Sequence, residues 1–268
     1  MRETTTETRD LQLIDGHAHL DELKELQKNI HEAQRAGVSA IIGVGMDSGS
    51  NERILAIARE HPGFIYPAIG YHPWKINKAE IHENITCLEK NIHQCVAIGE
   101  VGLDYKARVK KEFQKDVFRE ILKLSAQFHK PLILHCRYSH ERVFSMVSER
   151  EIERAVFHWY TGSLNLLRNI IDAGYFISAT PALSYSAPLQ EAVKEAPIER
   201  ILLETDSPVT YQGHVSRPAD VRITLNEVAR IKGLSLKEVA NQTSRNALEL
   251  FRPLNGKSSP PPGEQDEP

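Results

Sequence analysis

Short apolar runs alternate with longer amphipathic stretches along almost the whole chain, the pattern expected of a parallel sheet wrapped by helices. Eight runs predict strands, at residues 11–14, 39–44, 64–70, 96–99, 132–135, 155–158, 175–178 and 201–203. Between them, residues 22–36, 51–61, 110–129 and 164–173 carry apolar positions three and four apart, the helical spacing. Gly37, Gly63, Gly174 and Pro131 stand where helix stop signals are expected. Eight β/α units predict a (β/α)₈ TIM barrel. An open doubly wound sheet has the same periodicity, which does not report closure. Residues 220–232 would be the eighth helix, and residues 236–250 an extra C-terminal helix packing across the barrel's side.

Length and composition agree with one domain. The chain has 268 residues, close to the ~250 typical of a barrel, and 41% hydrophobic with 26% charged residues is ordinary for a globular protein. The domain is expected at 11–252, after a flexible polar segment at 1–10. Residues 253–268, containing Ser-Ser-Pro-Pro-Pro-Gly, form a Pro-rich tail too poor in apolar residues to order itself.

A formal charge of −3 gives no global positive field for holding nucleic acid, so any such contact must be local. Cys87, Cys95 and Cys136 are an odd number with no close pair, against a disulfide framework or a cysteine zinc knuckle. A polar N-terminus without a signal-like apolar stretch, and no run near the roughly 20 apolar residues of a membrane span, lead to the expectation of a cytoplasmic protein with no membrane partner.

Chemistry gathers where the apolar runs end. The first runs into Asp15-Gly16-His17-Ala18-His19, and alternate residues of an extended chain point the same way, so both imidazoles can face one ion. The third leads to Gly70-Tyr71-His72-Pro73, the fourth to Gly99-Glu100-Val101-Gly102-Leu103-Asp104, and the fifth to His135-Cys136-Arg137. The sixth leads to His158-Trp159-Tyr160-Thr161-Gly162 and the eighth to Glu204-Thr205-Asp206-Ser207-Pro208. In a barrel these ends converge on the face that carries active sites. Uncompensated imidazoles and carboxylates are costly to bury together without a cation, so the cluster points to a metal site. Taken singly, His72 or His158 reads as a hydrogen-bonded structural histidine, and Glu100 or Asp206 as a helix-end acceptor. His31, His61, His82, His93, His129, His140 and His214 lie on helices or loops and are expected at the surface.

These six motifs, in this order from about Leu13 to Phe251, resemble the TatD family of metal-dependent deoxyribonucleases, within the amidohydrolase-like barrels. The resemblance implies two divalent ions (Mg²⁺, Mn²⁺ or Zn²⁺), one held by His17, His19, Glu100 and Asp206, the other by Glu100, His135 and His158, with Glu100 bridging. It implies 3′ to 5′ exonuclease activity on single-stranded DNA ends by a metal-activated water. Asp206 would handle the proton, and His72 would contact the phosphate or the leaving oxygen. Arg137 would clamp the phosphate, and Trp159 and Tyr160 could stack a terminal base, packing beneath the loop being the other reading for both. Tyr160 stands where many members carry phenylalanine. The family's Arg-Asn-x-Pro after the eighth strand is here Ser216-Arg217-Pro218-Ala219-Asp220, which keeps Arg217 as a candidate substrate contact but loses the asparagine.

The metal chemistry alone also suits a small-molecule hydrolase acting on a lactone, amide or phosphate ester. A noncatalytic binding barrel is a third reading, against which the intact ligand motifs count. A shallow basic cleft would favour nucleic acid, a deep apolar pocket a small substrate.

Overall fold

The computed structural model describes residues 11–252; the expected flexible segment and Pro-rich tail lie outside the described residues. Eight strands run as β1 (Leu13–Ala18), β2 (Val38–Val44), β3 (Ile65–Ile69), β4 (Ala97–Asp104), β5 (Leu132–Arg137), β6 (Ala155–Phe157), β7 (Phe176–Ala179) and β8 (Ile201–Leu203). They form one parallel sheet in sequence order. The residues just past β8 bring its end back to β1. Asp206 N–H donates to the His17 carbonyl (2.9 Å) and His19 N–H to that of Ser207 (2.8 Å), beside a parallel bridge between Ala18 and Ser207. The sheet is therefore a barrel, and the open alternative falls.

The helices are α1 (Leu26–Arg35), α2 (Ser48–Glu60), α3 (Ile81–Asn91), α4 (Lys111–Phe128), α5 (His140–Ser148), α6 (Leu164–Asp172), α7 (Ala187–Glu195), α8 (Val221–Lys232) and α9 (Leu236–Leu250). Their ends follow local chemistry. Asp47 accepts from Ser50 N–H (2.8 Å) while Ser50 Oγ accepts from Asp47 N–H (2.9 Å), a reciprocal cap that starts α2. Ser235 and Glu238 do the same for α9. Gly174, with φ at +82°, takes the left-handed turn after α6 that a side chain would resist.

Three strands extend past their apolar runs, β5 by two residues to Arg137. Both β1 and β4 continue through the polar motifs to Ala18 and Asp104, with every residue buried. A hydrophobicity criterion stops where polar side chains begin, whereas the backbone ladder continues because those side chains find partners across the barrel mouth.

Alternation along the strands divides the core. One set, including Leu13, Ile41, Ile69, Ile98, Leu134, Phe157, Ile177 and Leu203, packs against the helices. The other, including Ile14, Ile42, Ala68, Ile133, Val156, Phe176 and Leu202, fills the interior with Ala247, Leu250 and Phe251. Ser244 Oγ donates to the carbonyl of Gln12 (2.7 Å), and Asn246 Nδ2 to those of Ile198 and Ile201 (both 2.8 Å). These carbonyls lie at, or within three residues before, the N-terminal ends of β1 and β8. The last helix thus plugs the barrel floor rather than covering its side, and leaves the opposite mouth for chemistry.

Candidate metal centre

The inward stripe that carries Ile133, Val156 and Leu202 at the floor carries His135, His158 and Glu204 two residues further on, because side chains of a strand alternate with period two. The apolar core thereby turns into a polar cluster at the C-terminal mouth. Glu100 reaches it through an irregularity in β4, where the register with β5 shifts between Ile98 and Val101. Gly70 makes room: a Cβ there would lie 2.4 Å from both the backbone N and O of Glu100. Asn51 of α2 pins Gly70 from both sides, its amide donating to the Gly70 carbonyl (2.8 Å) and accepting from the Gly70 N–H (3.0 Å).

Glu100 sits at the centre, 3% exposed. Its Oε2 faces His17 Nε2 (3.4 Å) and His19 Nε2 (3.3 Å), while Oε1 faces His135 Nδ1 (2.6 Å), His158 Nε2 (2.9 Å) and His72 Nε2 (3.4 Å). Asp206 Oδ1 completes the first side, 3.5 Å from both His17 and His19. All six expected ligands come together.

The far ring nitrogens decide which atoms present lone pairs. His135 Nε2 lies 3.2 Å from Asp104 Oδ2, His158 Nδ1 lies 3.3 Å from Glu204 Oε1, and His19 Nδ1 lies 3.0 Å from the Val44 carbonyl. These oxygens only accept, so each far nitrogen carries the proton and the site-facing nitrogen is left free to bind a cation. His17 is different: its Nδ1 is buried without a hydrogen-bond partner.

His72 has the opposite arrangement. Trp74 N–H donates to its Nδ1 (3.1 Å), so the proton of the neutral ring belongs on Nε2, the atom facing Glu100. Burial pushes its pKa down to about 4, which keeps it neutral near pH 7. His72 lies within ligand reach of Glu100 and His135, but an N–H aimed into the site is a donor rather than a ligand.

The donor set fits divalent cations. His17 Nε2 and His19 Nε2 are 3.2 Å apart, a contact that two lone pairs make only with a proton or a cation between them. Burial opposes protons on His19, His135 and His158, yet the neighbouring carboxylates, Asp206 and Glu100 at His19 and Glu100 at the other two, hold all three pKa values above the imidazole range. The imidazoles of His72, His158 and His135 in turn overcome burial at Glu100 and hold it well below the carboxylate range. The pocket is thus built for positive charge, which protons supply when no metal does.

Other motif residues act as braces. Asp15 accepts from Thr205 N–H (2.9 Å) and Oγ1–H (2.6 Å), tying β1 to the loop that carries Asp206. Asp206 itself takes a left-handed conformation, φ +50°, as does Trp159 at +43°. Trp159 is held there by its N–H, which donates to Glu204 Oε1 (3.0 Å) and Ser178 Oγ (3.1 Å). Asp104, Glu204, Asn51 and Gly70 went unassigned in the sequence reading. For Asp104 and Glu204 the signal was there, inside motifs already picked out; Asn51 lies in an unremarkable helix.

The cluster lies at the base of a cleft of about 710 Å³ whose lining includes His72, Trp74, Lys75, Arg137, Trp159 and Tyr185. Arg137 is exposed and has no ion-pair partner among the described residues. Tyr160 is not in the cleft: it is fully buried, its hydroxyl donating to the Ser163 carbonyl (2.7 Å), so it packs beneath the loop and cannot stack a base. Arg217 is also absent from the lining, being paired with Glu32 (2.7 Å) and Asp220 (3.5 Å) after a short hairpin, β9 (Thr210–Tyr211) and β10 (His214–Val215), that the sequence reading missed. His140, expected at the surface, is half-buried against Tyr160, ring centroids 5.3 Å apart.

Comparison with known proteins agrees with this geometry. The family model described as TatD related DNase matches residues 14–252. The putative deoxyribonuclease TATDN3 of Mus musculus is 32% identical over 263 residues, covering 91% of this chain and 90% of its own. The 3′-5′ ssDNA/RNA exonuclease TatD of Erwinia tasmaniensis is 31% identical, covering 85% and 94%. The crystal structure of YJJV, a TatD homologue from Escherichia coli K12, superposes with a TM-score of 0.82 at 27% identity, covering 91% of this chain and 98% of that one. A barrel whose mouth gathers the six expected ligand residues, with a family match over nearly all the described residues, places the chain in the TatD family of metal-dependent deoxyribonucleases.

Proposed function

We propose that this protein hydrolyses phosphodiester bonds at the 3′ ends of single-stranded DNA using two divalent ions. The observation that carries the two-ion reading is the division of Glu100, whose two oxygens face two different histidine sets. His17, His19 and Asp206 with Oε2 would hold one ion, and His135 and His158 with Oε1 the other. When bound, such ions polarise a phosphoryl oxygen and lower the pKa of a water.

The residues around them supply the rest. Asp206, its carboxyl held below the ordinary range despite burial, is ionised near neutral pH and can take a proton on its carboxylate. Neutral His72 offers its Nε2–H to a phosphoryl or leaving oxygen. Arg137, exposed in the cleft wall and without an ion-pair partner among the described residues, is placed to neutralise a phosphate. Strand polarity and action on single strands are supported by the likeness to the Erwinia relative, a 3′-5′ ssDNA/RNA exonuclease. A cleft with exposed aromatic and cationic walls suits a polymer end better than an enclosed small substrate.

The test is incubation of metal-loaded protein with an oligonucleotide labelled at its 5′ end, beside a panel of small esters and lactones. A ladder shortening from the 3′ end, abolished by chelation, is expected. Absence of cleavage with Mg²⁺, Mn²⁺ and Zn²⁺, together with turnover of a small ester, would replace this reading with the small-molecule one.

A further inference from the structure

Trp74 follows the His72-Pro73 step above β3 and lines the cleft, yet 53% of its surface is open to solvent. An exposed indole on a loop is ordinarily free to change rotamer. The ring of this one is held at three points and its backbone at a fourth. Its ring N–H donates to Oδ2 of Asp104, a carboxylate with no exposed surface. Its ring packs edge-on against His72 and His135, with centroids 4.6 and 5.7 Å away. Its backbone N–H donates to His72 Nδ1 (3.1 Å). The result is a flat apolar face, fixed beside the ligand cluster and uncovered by protein.

Pre-ordering an uncovered aromatic face gains little for folding, since half of its area stays in water. It lowers the entropic cost of binding a flat partner. The group that arrives beside a phosphate at this cluster, if the phosphodiesterase reading above holds, is a nucleobase. Stacking on an indole grips any base, because every base has a π-face, and this suits an enzyme that trims ends without reading sequence. Of the aromatics expected to stack, Tyr160 is buried and Trp159 is half-buried against Tyr211 (5.4 Å between ring centroids).

We propose that Trp74 forms the wall of a nucleobase subsite, on which the base of a nucleotide flanking the scissile phosphate stacks while Asp104 holds the indole in place. Asp104 then serves two groups at once, orienting His135 through one hydrogen bond and the stacking platform through another.

The chain has two tryptophans, so Trp159→Phe leaves Trp74 as the sole indole reporter. Metal-loaded Trp159→Phe protein is titrated with a phosphorothioate hexathymidylate, which resists cleavage, and with the same strand made abasic at its last or penultimate position. Quenching of Trp74 fluorescence by the intact strand, lost for one of the two abasic strands, is expected; equal response to all three overturns the proposal. In kinetics on cleavable strands, Trp74→Leu is expected to raise KM about ten-fold, and removing the base to do the same in the unmutated protein, with the two losses not adding. A loss of turnover equal on base-bearing and abasic strands would show that Trp74 only supports Asp104, and would overturn the proposal. Should no phosphodiester be cleaved under any metal, the nuclease reading fails by itself, while the fluorescence titration still decides whether a base stacks on Trp74.

Discussion

Gly70→Ala is a methyl group added outside the ligand set, and the structure predicts that it disables the metal centre. The new Cβ would lie 2.4 Å from the N and O of Glu100 and 2.5 Å from the Gly99 carbonyl carbon. Contacts of this kind need about 3.5 Å, so roughly 1 Å of movement is required. The clashing atoms are backbone and cannot rotate away. Gly70 cannot yield either, because Asn51 holds both its N–H and its carbonyl (3.0 and 2.8 Å). The displacement must therefore pass into β4 at Glu100, whose oxygens face both histidine sets. Overpacking of this size costs about 1–3 kcal/mol, which for a domain of this length lowers Tm by roughly 2–12 °C. A ligand misplaced by about 1 Å lowers activity on the order of a hundred-fold. The assay is thermal melting, elemental analysis after dialysis and phosphodiester turnover on one preparation. A variant that melts with wild type, retains its metal and turns over normally would refute the claim that the bare backbone at Gly70 positions Glu100.

Three further substitutions probe the site. Glu100→Gln replaces one of two anionic oxygens by an amide nitrogen, so both metal positions are expected to be depleted; unchanged metal content after dialysis would sink the bridging assignment. Asp206→Asn should keep the fold, by circular dichroism, while turnover falls by about two orders of magnitude or more; retention of more than about a tenth of the rate is incompatible with its proton role. Asp104→Asn must set an amide NH₂ against donors whichever way it turns, since Oδ1 accepts from Lys106 and Ala107 N–H and Oδ2 from Trp74 and His135. Metal affinity measured against a competing chelator is expected to fall about 10–100-fold, and an unchanged affinity would remove Asp104 from the support of His135.

Much of the site was legible because strand alternation is a local property. The chemistry stood at the ends of the apolar runs, and a barrel gathers the strand ends at one mouth; with Ile133, Val156 and Leu202 facing inward, His135, His158 and Glu204 share their face two residues on. The six expected ligands therefore stand together. Other features depend on partners far away in the chain, which no local period records. Closure rests on Asp206 and Ser207 meeting β1 some 190 residues earlier, as Asp15 meets Thr205. The strand lengths of β1 and β4, the floor position of α9, and the pinning of Gly70 by Asn51 are of the same kind. Side-chain direction was equally hidden in the loops, where alternation lapses: Tyr160 turned into the core, Arg217 turned to Glu32, and Trp74 was fixed against Asp104 at the mouth. Sequence alone determined where the strands end and what chemistry those ends bring, because period and composition are written into neighbouring positions. Only the folded barrel decided which nitrogen carries a proton, which carboxylate braces which histidine and which aromatic stays uncovered, because those outcomes depend on distances between segments that the chain itself does not set.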